Sequence, residues 1–126
     1  MSCDIYINFE EGVKRVVNNT GLYIKMIERF KDDVNIGDLE LAMAEKDFQK
    51  AQTAAHALKG LAGNLSFTGL FNQTAELDAQ LKNILLSPAR EAEQGLAEKM
   101  SIVKNVYKET LDEIKKVAGK YDGIKR

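Results

Sequence analysis

The sequence predicts an all-α protein: an antiparallel four-helix bundle with one or two additional short helices at or near its N-terminal end. Three observations carry that expectation. Proline occurs once, at Pro88, in a chain rich in Ala, Leu, Lys and Glu, the residues that helices accommodate best. Apolar residues recur at steps of three and four, which is the spacing of a helical face. No clear alternating strand pattern and no internal repeat is present.

Each element has its own signal. The first helix is expected after Asn8, where Asn8 and Glu11 make a capping-box-like start and Phe9, Val13, Val16 and Val17 follow. Asn18-Asn19-Thr20 breaks the chain, with Thr20 as the next N-cap. A second helix carries Leu22, Tyr23, Met26, Ile27, Phe30 and Val34 on one stripe, and Asn35-Ile36-Gly37 is expected to end it. A short helix from about Leu39 to Lys46 comes next. Asp47 caps a helix over about 48–66, whose buried set is Phe48, Ala51, Ala55, Leu58, Ala62 and Leu65. Thr68-Gly69 is expected to close that element. A helix over about 70–86 follows, with Leu70, Phe71, Leu77, Leu81, Ile84 and Leu85 as its apolar residues. Ser87-Pro88 supplies a cap and a proline at the first helical position. The last helix runs to about Ala118 along Leu96, Met100, Val103, Tyr107, Leu111 and Ile114. Gly119 is expected as its stop, and the tail from Lys120 to Arg126 as frayed.

Length and charge narrow the function. The 126 residues are read as a single domain with an ordered core over about 4–118. A chain of this size hides about two-thirds of its unfolded surface, so it needs neither disulfide nor metal to fold. The net charge of -1 argues against a dedicated nucleic-acid or anionic-membrane binder. One cysteine, Cys3, excludes a disulfide framework and a paired-cysteine zinc site, and fits a reducing, cytoplasmic location. No apolar run is long enough to span a membrane, and the N-terminus lacks the regions of a signal peptide. The Met1 start leans towards a free-standing protein, with a domain excised from a larger kinase as the other option. The single histidine, His56, excludes multi-histidine metal sites.

One segment departs from the evenly charged pattern. Residues 51–75 contain a single formal charge, Lys59, together with His56. At about 100° per residue, His56 lies about 140° from the centre of the buried stripe and Gly60 about opposite it. Gly63 points close to the direction of His56, two turns on. A glycine within a helix costs about 0.5–1 kcal/mol relative to alanine, so glycines on an outward face suggest that something approaches closely there. A neutral imidazole is a nucleophile that can carry a covalent intermediate. Lys59, at i+3, can stabilise a phosphoryl group on it, and Gly60, at i+4, leaves room for a partner protein. If the helix turns back near Phe67, His56 pairs in register with Asp78. A carboxylate there could accept a hydrogen bond from one ring nitrogen and leave the other as nucleophile. Against this, the wheel sets His56 well off the core stripe and Asp78 is short.

The run His56-Ala57-Leu58-Lys59-Gly60-Leu61-Ala62-Gly63-Asn64-Leu65 resembles the signature of histidine-containing phosphotransfer (HPt) domains, roughly H-x-L-K-G-x-A-x-N-L-G, at seven of its eleven positions. Lys46-Asp47-Phe48 resembles the family's approach to this helix, and Leu22-Tyr23 with Phe30 its earlier helix, so that the resemblance extends over about residues 4–115. It implies a phosphorelay intermediate that carries a phosphoryl group on His56 and exchanges it with the aspartate of receiver domains. Lys59 then stabilises the phosphate, Gly60 and Gly63 give docking clearance, and Asp78 falls where relatives often carry a histidine-orienting Glu or Gln. The implied partners are response-regulator receiver domains or a hybrid histidine kinase, with no nucleic acid and no membrane. The protein would be a monomeric phosphocarrier rather than an enzyme, without a cofactor of its own, Mg²⁺ being held by the receiver. Two departures stand out. Ser66 replaces the usual glycine near the helix end, and Asp78 is one methylene shorter than Glu.

Plainer readings stand beside these. His56 and Lys59 can be solvated surface residues, Gly60 and Gly63 can mark close helix contact, and Asp78 can be a surface carboxylate. Phe67 is expected to fold under the turn, and the basic C-terminus to complement a helix dipole. The competing function is a helical interaction module of the same fold that binds a receiver or kinase without phosphotransfer. A metal or hydrolytic enzyme fits poorly, because there is no second histidine and no Glu-x-x-His pair.

Overall fold

The computed structural model describes residues 6–86, Glu93 and residues 95–120. Among the described residues six α-helices follow one another: α1 (Phe9–Arg15), α2 (Thr20–Glu28), α3 (Asn35–Ala44), α4 (Phe48–Asn64), α5 (Thr68–Leu86) and α6 (Leu96–Lys120). A 3₁₀ turn, Arg29–Asp32, extends α2. No strand occurs among the described residues. The fold is the all-α bundle that the sequence predicts. α4 and α5 form its central hairpin, α3 packs on α4 and α6 on α5, while α2 reaches α6 and α1 lies on α2. An ion pair between Lys104 and Glu40 at 3.6 Å links α6 to α3.

Side chains set the helix starts. Asn8 Oδ1 accepts from the Glu11 amide at 3.2 Å and Asp47 Oδ1 from the Lys50 amide at 3.2 Å, as the sequence predicts. Asn19, not Thr20, caps α2, through the Leu22 amide at 3.0 Å. Two boundaries move. Asn35-Ile36-Gly37 begins α3 instead of ending α2, because Asp33 accepts from the Asn35 side chain at 2.8 Å and from the Ile36 amide at 3.4 Å. With α2 over at Glu28, Val34 is 68% exposed and not part of its stripe. Thr68-Gly69 opens α5 instead of closing α4. Gly119 does not stop α6, which continues to Lys120. The expected Ser87-Pro88 cap and the tail after Lys120 lie outside the described residues.

Three helix ends are built alike. α1, α3 and α4 each close with a residue of positive φ: Val17 (56°), Lys46 (56°) and Ser66 (60°). The two residues after each C-cap donate back, as in Asn18 to Val13 at 2.9 Å, Asp47 to Ala42 at 2.9 Å and Phe67 to Ala62 at 2.8 Å. This is the Schellman arrangement, in which glycine is the usual occupant. A left-handed conformation costs a non-glycine residue about 1–2 kcal/mol. No described glycine has positive φ, so the glycines serve other purposes.

The core holds the hairpin in place. Leu58, Phe67, Leu77, Leu81 and Val103 are fully buried, each contributing about 1.5–3 kcal/mol relative to exposure. Phe67 folds under the turn as expected, and its ring meets Phe30 edge-on at 4.9 Å. Tyr23, also buried, donates its hydroxyl to the Leu65 carbonyl at 2.6 Å. That bond clamps α2 beneath the end of α4.

Candidate functional site

α4 turns Ala51, Ala54, Ala55, Leu58 and Ala62 inward. Small side chains let α5 approach closely, so the outward face of α4 borders α5 directly. On that face the His56 side chain is 59% exposed, as its wheel position predicts. Lys59, at 29%, lies lower against the hairpin. A methyl group at Gly60 would meet nothing within 4 Å. Gly63 differs from the expectation of open clearance: a methyl group there would sit 3.1 Å from the Phe71 ring of α5. Gly63 is thus in close contact with α5, and Gly60 is the open position of the two.

Asp78 reaches His56. Its side chain is only 2% exposed, and Oδ2 lies 3.4 Å from His56 Nδ1. The antiparallel register brings α5 under one edge of the imidazole while the rest of the ring stays in solvent. The same Oδ2 lies 3.7 Å from Lys59 Nζ and 3.1 Å from Lys82 Nζ. Oδ1 accepts from Gln52 Nε2 at 2.8 Å. Burial pushes the Asp78 carboxyl up, but the hydrogen bonds from Gln52, Lys82 and His56 and the Lys82 charge outweigh it and hold the carboxyl below its ordinary range. An ionised carboxylate only accepts hydrogen bonds. Such a partner favours, for a neutral ring, the tautomer with hydrogen on Nδ1 and the lone pair on Nε2.

Gln52, Lys82 and Phe71 escape a reading based on charge and motif. Gln52 lies one turn before His56 on the same face of α4, and Lys82 one turn after Asp78 on α5, so i±4 arithmetic from the two site residues finds both. Phe71 is 38% exposed beside the bare face.

Ser66 keeps the turn that a glycine would make. Its φ of 60° closes the Schellman motif, and its buried hydroxyl donates to Glu11 Oε1 at 2.8 Å. The Asn8 amide donates to the Ser66 carbonyl at 2.8 Å. The turn below the site is thus tied to the start of α1. A groove of about 440 Å³ runs between α1 and the end of α4, past Arg15, Gly60, Gly63 and Phe71.

Among the described residues no group of three His, Cys, Asp or Glu could hold a metal ion, and no helix is long and apolar enough to cross a membrane. No curated protein and no solved structure matches the chain significantly. The family model for the Hpt domain matches residues 25–117, a span from α2 into α6 that includes His56 and Asp78. The chain therefore belongs to the Hpt domain family, the histidine phosphotransfer modules of two-component phosphorelays.

Proposed function

We propose that this protein is a phosphorelay carrier that holds a phosphoryl group on His56 and exchanges it with the aspartate of receiver domains. The observation that carries this reading is the exposed imidazole whose Nδ1 faces the buried, ionised Asp78 at 3.4 Å. The Nε2 lone pair attacks phosphorus, and the bond from phosphorus to the receiver's aspartyl oxygen breaks, its electrons returning to that carboxylate. The Nδ1 proton stays on the ring, and Asp78 offsets the positive charge that the ring acquires. Lys59 neutralises part of the phosphoryl charge. Gly60 lets the receiver backbone approach.

The carrier needs no cofactor; the acidic pocket and its Mg²⁺ belong to the receiver. It works as a cytoplasmic monomer between a kinase, hybrid or separate, and a receiver. It has no catalytic turnover of its own. Mixing the protein with phosphorylated receiver domains and Mg²⁺ tests this. Acid-labile, base-stable label should appear on the parent and be absent from His56→Gln. Equal labelling of both would end the proposal. Receiver binding that survives His56→Ala, without any phosphohistidine, would favour the interaction module.

A further inference from the structure

Asp78 has more partners than histidine orientation requires. Oδ1 is occupied by Gln52 at 2.8 Å. Oδ2 faces Lys82 at 3.1 Å, His56 at 3.4 Å and Lys59 at 3.7 Å. Every one of these comes from α4 or from α5 itself. α6, the other helix packed on α5, directs Lys99 to Gln73 at 3.0 Å and Glu76 at 2.9 Å instead. In the resting protein, then, the lysine that should meet the phosphoryl group is already engaged with Asp78. A phosphoryl group brings about -1.5 to -2 charges and draws Lys59 away. A buried carboxylate stripped of its cation is strongly disfavoured. Lys82 is closer to the carboxylate than Lys59 and stays with it.

We propose that Gln52 and Lys82 are positioning residues of the transfer site: Gln52 fixes Oδ1 so that Oδ2 alone faces His56, and Lys82 holds the carboxylate charge so that Lys59 is released to the phosphoryl group. Neither touches the phosphoryl group. This rests on the carrier reading of His56, but its first readout does not. His56 is the only histidine, so the ¹⁵N-labelled full chain gives one imidazole whose tautomer can be followed against pH.

Gln52→Ala and Lys82→Gln should each lower the fraction of the tautomer with hydrogen on Nδ1. Phosphoramidate serves as a partner-free donor: its P–N bond breaks as the Nε2–P bond forms, and ammonia leaves with a proton from solvent. Labelling should slow about tenfold in both variants, the scale for losing an outer partner that orients a histidine. With Lys82→Gln the acid-side fall in rate should move to higher pH, because losing the cation makes Asp78 easier to protonate. Lys82→Arg should restore both the tautomer and the rate. Phosphohistidine lifetime should show coupling: Lys59→Gln should cost less in the Lys82→Gln background than in the parent. A tautomer and pH profile of Lys82→Gln identical to the parent, or additive lifetimes, would overturn the proposal. If the parent accepts no label from phosphoramidate or from receivers, the carrier reading falls, and the tautomer series still decides the positioning roles.

Discussion

Gly12 in α1 and Gly60 in α4 are both helical glycines of negative φ, and their surroundings are opposite. A methyl group on Gly12 would run into the Tyr23 ring, which packs across α1 with its hydroxyl bonded to Leu65. A methyl group on Gly60 would meet no atom within 4 Å. Both positions give up about 0.5–1 kcal/mol of helix propensity. At Gly12 the loss is recovered inside the molecule, by the closeness of α1 to α2. At Gly60 nothing inside the molecule recovers it. The α1–α2 junction is shaped by the protein's own packing, whereas the outer face of α4 is left open at Gly60, where the proposed receiver would dock.

The comparison can be broken in four places, taken from the largest effect downward. Gly12→Ala should lose about 1–3 kcal/mol or more, as overpacking a tight contact does; an unshifted urea midpoint would show that the Tyr23 contact yields easily. Asp78→Asn should change how stability depends on pH. The folded carboxyl lies below its ordinary range, so the parent has this stabilisation above the unfolded value of about 3.9 and loses it as pH falls through the folded value. The variant should show a flatter acid limb in thermal unfolding, and a slope equal to the parent's would mean the carboxylate is not held. Gly60→Ala should gain about 0.5–1 kcal/mol while receiver-dependent transfer slows. A gain in both would remove the case for docking clearance. Gly63→Ala should move stability by only a few tenths of a kcal/mol, the helix gain set against the shift of a half-exposed Phe71 ring; a loss above about 1 kcal/mol would mark that ring as fixed.

Much of this was legible in the sequence, for identifiable reasons. The face of His56, Lys59 and Gly60 follows from helical spacing alone, and Asp78 from reflecting the chain about Phe67. The reach of Asp78 was not legible, since a wheel gives direction and not the tilt of a ring towards a neighbouring helix. Gln52 carries no charge and fits no motif; its place one turn before His56 marks it only as a neighbour, and its 2.8 Å bond to Asp78 gives it a partner. Asn35-Ile36-Gly37 reads as a break by composition, yet Asp33 captures the adjacent donors and starts a helix there. Thr68-Gly69 reads as a turn, but Ser66 has already made that turn one residue before the buried Phe67. Gly63 defeats the wheel because Phe71 reaches over from α5.

The lysine pair around Asp78 fixes the sign of the local potential. Two ammonium groups against one carboxylate leave a surplus of one positive charge beside His56. A phosphoryl group of about -2 turns that surplus into a deficit of about one. On the carrier reading proposed above, the unloaded protein should attract an acidic receiver pocket and the phosphorylated one repel it, so added salt should weaken the first encounter and ease the second. Opposite salt slopes for the two states would let the phosphoryl group itself act as the signal for dissociation.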